Sequence, residues 1–312
     1  MLKVLVLGSG AGGGSPQWNC NAEVSRAVRS RQPGTSRRTQ SSIAVSVDER
    51  NWFLFIASPD LGSQIQDHKQ LHPDPSYGSR HSPILGTVLT NGDVDHVAGL
   101  LTLRESYPLA IYATKRVQSV LKQNAIFNVL NPKFVDRRDL LLNKKIELRT
   151  KNKKSTGLFV EPFSVPGKVA LWLEDKKVGK NFGTVEEDTI AVKISSKDKE
   201  EFFYYIPACA NMTTDLAKKI KGSPLVLFDG TLWRDDEMIV SKVGVKTGKR
   251  MGHMSNSGSR GTIAVFKDID VKRKVFIHIN TTNPILVKGS EERKFAENSG
   301  WEVSYDGMEL GL

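Results

Sequence analysis

Three side chains that could share one metal ion stand within four positions of each other: Asp93, Asp95 and His96, in the segment LGTVLTNGDVDHVAGLL from Leu85 to Leu101. A carboxylate oxygen and an imidazole nitrogen aimed from one tight turn suit a first-row transition ion. The same pattern also fits a plain helix start, with Asp95 as N-cap and His96 in the first turn, and the local residues leave both readings open. Two more imidazoles lie in comparable places: His253 in RMGHMS and His278 at the end of KVFIHIN. Singly, each reads as a hydrogen-bonded structural histidine. Their common position at element ends, together with Asp95 and His96, strengthens the case for a metal. His68, His72 and His81 fall in a Pro/Ser/Gly/Asp-rich stretch and read as surface residues.

The elements around these residues explain how they could converge. The apolar run Leu85, Val88, Leu89 reads as a buried strand, broken by Asn91-Gly92 and followed by the periodic Val97, Leu100, Leu101. That places Asp95 and His96 at a strand-to-helix junction, where open α/β layouts bind ligands. Lys3 to Leu7 reads as a strand running into a glycine loop. Gly8, Gly10 and Gly13 match G-x-G-x-x-G, but Ser15-Pro16-Gln17-Trp18-Asn19 follows where a helix should open, so a loop beside an active site is the better reading.

Residues 26 to 41 read as a basic surface loop, and Ser42 to Val47 with Trp52 to Ile56 as a hairpin. A helix is expected at Leu61 to His68, a strand at Leu109 to Tyr112 and a helix at Lys115 to Gln123. Ile146 to Arg149, Leu158 to Val165 and Val169 to Leu173 follow as strands. A second half is expected from Thr189, with strands Ile190 to Ile194 and Phe202 to Ile206, helix Thr214 to Lys221, strand Leu225 to Phe228 ending at Asp229, and a helix near Gly261 to Phe266. Two strand-rich blocks with flanking helices predict an α/β four-layer sandwich.

The 312 residues carry 39% hydrophobic content, enough for a substantial core, and two cysteines, Cys20 and Cys209, which fit a reducing compartment. No apolar run reaches the roughly 18 residues of a membrane span, and the N-terminus does not read as a secretory signal, so a cytoplasmic protein is expected. The net charge of +11 is spread over scattered groups such as Lys151, Lys153 and Lys154, Lys176, Lys177 and Lys180, and Lys218, Lys219 and Lys221. Without a stripe interleaved with aromatics, a solvated surface is expected and no nucleic acid, while an anionic substrate stays compatible.

The blocks TNGDVDHVAGLLTLRE, VPGKVALWLED, LVLFDGTLWRDDEMI, VKTGKRMGHMS and VFIHINTTNPIL, with GSGAGGGSPQWNCN and GWEVSYDGMEL near the two ends, resemble the coenzyme PQQ synthesis protein B family of the metallo-β-lactamase fold. The resemblance implies one αββα domain over residues 1 to 312. The superfamily signature H-x-H-x-D-H falls on Asn91, Asp93, Asp95 and His96, so both histidines of the first metal site are missing. Asp95, His96 and His278 are left as a 2-His-1-carboxylate set, the usual marker of non-haem Fe(II) oxygen chemistry.

On this reading the family implies hydroxylation by Fe(II) and O2 of the tyrosine ring in a Glu-Tyr cross-linked intermediate, with zinc as the other candidate metal. Asp93 is expected as a further ligand or a supporting carboxylate, His253 as acid/base or substrate contact, and Asp229 as the group that orients a ligand histidine. Family members carry a cysteine cluster resembling a structural zinc site; here Cys20 is kept but Ala22 and Ser25 replace further thiolates, so that zinc is expected to be absent. Two other functions fit the resemblance: a carrier of PQQ or its precursor toward the periplasm, and a metal-dependent phosphodiesterase. A homodimer is admitted.

Overall fold

The computed structural model describes residues 1–175, 177, 183–197 and 201–312; Lys176 and Lys180 lie outside the described residues. Among them, fourteen strands form two seven-stranded sheets. The first contains β1 (Lys3–Gly8), β2 (Ser42–Ser46), β3 (Trp52–Phe55), β4 (Ile84–Val88), β5 (Leu109–Thr114) and β6 (Val135–Leu140). The second contains β7 (Ile146–Leu148), β8 (Leu158–Ser164), β9 (Ile190–Ser195), β10 (Phe202–Ile206), β11 (Ser223–Asp229), β12 (Val271–Ile277) and β13 (Trp301–Val303). The last strand, β14 (Glu309–Gly311), returns to pair antiparallel with β1 in the first sheet.

Both sheets are covered on both faces, because their strands are apolar at nearly every position and successive side chains point to opposite sides. On β1, Val4 and Val6 face Val192, Phe203, Leu227 and Ile277 of the second sheet, in a core shared by the two. Leu5 and Leu7 face outward, to a layer containing Leu61, Val97, Leu100, Val117 and Leu121. In the second sheet Tyr204, Val226, Phe228 and Phe276 face outward onto Val24, Leu216, Ile263, Phe266 and Ala296. Three apolar layers between four structural layers give the α/β sandwich expected for a metallo-β-lactamase fold.

The covering helices include α1 (Glu23–Arg29), α2 (Leu61–Asp67), α3 (Val94–Val97), α4 (Lys115–Gln123), α5 (Thr214–Ile220), α6 (Glu237–Val240), α7 (Gly248–Met251), α8 (Thr262–Val265) and α9 (Glu291–Asn298). No helix among the described residues is long and apolar enough to cross a membrane.

Five local expectations are corrected. Residues 26 to 41 are not all loop, since α1 takes the first of them and buries Ala27 and Val28. Val169 to Leu173 is no strand: it is an irregular segment ending in a 3-10 turn, Leu171–Leu173, whose Leu171 and Trp172 are exposed. The second sheet begins at β7 rather than near Thr189. The strand β6 was hidden by its charges, Asp136, Arg137, Arg138 and Asp139, which belong to an edge strand where charge blocks further pairing. Finally, His68 is buried and bonded through Nδ1 to the Gln64 carbonyl, 2.6 Å away.

Candidate metal centre

The site lies where β3 and β4 of one sheet and β11 and β12 of the other end, the carboxyl edge that α/β folds use for ligands. Two of these strands end in a left-handed residue: Ile56 has φ +72° and His278 φ +58°. That conformation costs an L-residue about 1–3 kcal/mol and persists only where the surroundings hold it. At His278 it turns the chain so that Ile279 bonds to Ser9 and the Ala11 amide to Ile279, both at about 2.9 Å or less. The glycine loop is thereby pinned against the strand end that carries His278.

On the other side, the Ala57 amide bonds to the His96 carbonyl and the Gly99 amide to the Ala57 carbonyl, each at 2.9 Å, so the turn after β3 seats α3. Gly99 has to be glycine: a Cβ there would lie 2.1 Å from the Ser58 carbonyl oxygen.

These supports bring Asp95, His96 and His278 together, each offering one donor atom within 4.8 Å of the others. His278 Nε2 is 3.2 Å and His96 Nε2 3.8 Å from Asp95 Oδ2. The far nitrogens are held by hydroxyls: Thr90 Oγ1 is 3.0 Å from His96 Nδ1, and Thr231 Oγ1 is 3.0 Å from His278 Nδ1.

The Thr231 hydroxyl offers His278 a particular tautomer. Its oxygen lies 2.6 Å from the Asp229 carboxylate and 2.9 Å from the His278 carbonyl. With its proton given to either, the oxygen can accept from His278 Nδ1, the tautomer in which Nε2 keeps a lone pair for a metal ion. In that form Nε2 and the Asp95 carboxylate would take a cation between them, a proton or a metal ion.

The electrostatics agree. Burial alone would lower His278, but the hydrogen bond and charge of Asp95 outweigh it and hold the imidazole above its ordinary value. Burial likewise works to raise Asp95, yet His96 and the His278 bond keep it well below the usual carboxylate range. Burial pushes His96 down to about 4, against the pull of Asp95, so it is a neutral imidazole ready to ligate. One anionic and two nitrogen donors, oriented from behind, are the donor chemistry a divalent transition ion takes.

Asp229, His253 and His278 form a second close group. Asp229 is fully buried and accepts from the Cys209 amide at 2.9 Å, the Thr231 amide at 3.0 Å, the Thr231 hydroxyl and His253 Nδ1 at 2.7 Å. His253 thus turns Nε2 toward the cavity, its ring stacked on His278 with centroids 5.3 Å apart.

Asp93 stands outside both groups. Its oxygens take the Leu171 amide at 2.9 Å and Lys168 Nζ at 3.4 Å, which makes it a wall residue that holds the 168–171 segment. Asn91, at the first-site histidine position, is buried, with Nδ2 3.4 Å from His96 Nε2 and Oδ1 accepting from the Asp93 amide. Cys20 is buried, and Ser25 is bonded to Thr281 Oγ1 at 2.7 Å. His72 and His81 stay in the loop where the sequence put them, away from the site.

Asn91, Asp93, Asp95, His96, Thr231, His253 and His278 border one cavity of about 400 Å³, with Gly12, Gln17, Lys168, Lys246 and Asn280 also on its walls. The glycine loop is part of it: a Cβ on Gly12 would lie 3.2 Å from Asp95 Oδ2. Sequence reading missed Thr231, Thr90, Lys168, Lys246 and Asn280. Only Thr231, two residues after the strand-end Asp229, carried a signal that could have been followed.

Comparison with known proteins gives four results. A family model for the beta-lactamase superfamily domain matches residues 51–279. Coenzyme PQQ synthesis protein B of Rhodopseudomonas palustris (strain BisB5) is 48% identical over 312 residues, covering 100% of both chains. Among solved structures, Zn(2+)-bound PqqB from Methylobacterium extorquens superposes with a TM-score of 0.93 at 47% identity, covering 99% of this chain and 100% of that one. A diphosphatase of the PhnP family, with a TM-score of 0.67, 18% identity and coverage of 100% and 98%, shares the fold alone.

Proposed function

The chain belongs to the coenzyme PQQ synthesis protein B family of the beta-lactamase superfamily, and from that premise we propose that it acts in PQQ biosynthesis as an Fe(II)- and O2-dependent hydroxylase of the tyrosine ring in the Glu-Tyr cross-linked precursor. The observation that carries this reading is the donor set itself: Asp95, His96 and His278 converge as one carboxylate and two imidazoles, with Asn91 where a two-metal hydrolase needs an imidazole. Three protein ligands leave coordination positions for substrate and oxygen. Iron(II) held there would supply reduction of O2, with one oxygen atom going to an aromatic C–H bond and the other leaving as water on two electrons from an external reductant. A Zn2+-bound relative supports a divalent ion in this fold, and zinc fits the same donors.

The protein's own groups divide the remaining work. Thr90 and Thr231 fix the ligand rings from behind. Asp229 holds the Nδ1 proton of His253, so that His253 Nε2 can accept a proton from the substrate ring or its phenol. Gly12 and Ala11 close the side of the cavity nearest Asp95.

The test is anaerobic Fe(II) reconstitution of the wild type and of His278→Ala, with iron counting and oxygen uptake on a Glu-Tyr cross-linked substrate. The expected result is one iron per chain and substrate-dependent uptake, both lost with His278. Binding of PQQ by a wild type that takes up neither iron nor oxygen would instead establish a carrier.

A further inference from the structure

Two ammonium groups on the cavity wall are left unused by the chemistry above. Lys168 is placed by its packing. Gly252, with φ +91°, ends α7 just before His253, and a Cβ on it would come within 3.2 Å of Lys168 Cγ, so the missing side chain makes room for the lysine stem. The ammonium then reaches Asp93 Oδ2 at 3.4 Å and the Val169 carbonyl at 3.3 Å. An ammonium has three donors, and the third has no partner among the described residues.

Lys246 stands 3.7 Å from Glu174 Oε1, too far for a hydrogen bond. That carboxylate is already gripped by both terminal nitrogens of Arg250, at 3.2 and 2.6 Å. Lys168 and Lys246 both line the cavity, each facing a carboxylate, Asp93 at 3.4 Å and Glu174 at 3.7 Å. Opposite polarity is supplied by Leu171, Met238 and Met251, an apolar wall on which thioethers can pack against a flat ring.

We infer that Lys168 and Lys246 are the carboxylate-reading pair of this pocket, which selects a ligand whose aromatic ring carries carboxylates, directly or on side arms, and sets that ring toward the metal ligands. This rests on the proposed function and adds to it the residues that choose the substrate. The approximately 400 Å³ of the cavity suits a ligand of that size.

PQQ, an aromatic tricarboxylate, and its trimethyl ester are the probes. Their dissociation constants are measured on wild type, Lys168→Met, Lys246→Met and, as a control on an exposed lysine, Lys272→Met, with zinc binding followed in each protein to show that the site is intact. A lost charge-assisted bond should weaken PQQ about tenfold or more in each wall variant. The control should leave PQQ binding unchanged, and the ester should bind all four proteins alike. Equal PQQ affinity in wild type and wall variants, equal losses for acid and ester, or no PQQ binding by the wild type would each overturn the inference. A lysine effect that survives while iron-dependent oxygen uptake is absent removes the hydroxylase reading and leaves the carboxylate pair standing.

Discussion

Replacing Thr231 by valine separates the supporting network from the ligands without touching a donor atom. The hydroxyl lies 3.0 Å from His278 Nδ1 and 2.6 Å from Asp229 Oδ1, and its residue is buried. Valine keeps the shape but leaves a buried imidazole nitrogen without its hydrogen-bond partner, at a cost of roughly 1–3 kcal/mol of folding stability. The ring also loses the constraint that aims Nε2 at Asp95, and loss of such an outer contact typically lowers metal affinity about 10–100-fold. Zinc competition against a chromophoric chelator reads the affinity, and urea unfolding of the metal-free proteins reads the stability. Thr231→Ser should restore both. If the valine variant binds zinc as tightly as wild type, the hydroxyl does not orient His278 and the tautomer argument is wrong.

Two further predictions concern the frame of the site. Burial raises the Glu237 carboxyl from an ordinary 4.5 to about 7, despite hydrogen bonds from Thr282 and the Trp233 amide. Between those values the unfolded chain has lost the proton and the folded one keeps it, so stability falls as pH rises through the window, by about 3 kcal/mol in all. Glu237→Gln should match wild type near pH 4.5 and exceed it by up to that amount at pH 8 in urea unfolding; a difference independent of pH would refute the assignment. Gly99→Ala drives a methyl into the Ser58 carbonyl, which should cost about 1–3 kcal/mol and weaken zinc binding through His96; unchanged unfolding and affinity would show that α3 is not seated by this contact.

The sequence made the strands legible because almost all of them are apolar on both faces, and only runs such as β6, with charges on an edge, escaped. It made Asp95, His96 and His278 legible because each sits where an apolar run stops. It could not show the irregular segment at Leu171, because LWL has a strand's composition and its fate depends on the cavity beside it. Nor could it show Lys168, whose place depends on Gly252, remote in the chain, while Thr231 was signalled only by standing two residues after Asp229 and its contact with His278 forms only on folding. The left-handed backbone at His278 is equally silent in the sequence, since nothing in VFIHIN announces a residue that glycine would adopt more easily.

That strained residue also bears on how many ions the centre can hold. His278 belongs to both close groups, but it has two ring nitrogens and the structure commits them differently. Nδ1 is bonded to Thr231 Oγ1, on the side of Asp229 and His253, while Nε2 faces Asp95 and His96. For the second group to ligate through His278, Nδ1 would have to give up that bond, and Asp229 would have to release some of the four donors that now saturate its two oxygens. Both changes cost free energy in a fully buried place. The Asp95 group needs neither: its nitrogens are already turned inward, and an ion there would take the place of a proton shared by Asp95 and His278. The hydrogen-bond count therefore favours one metal per chain, with Asp229 and His253 left bonded to each other rather than to a second ion.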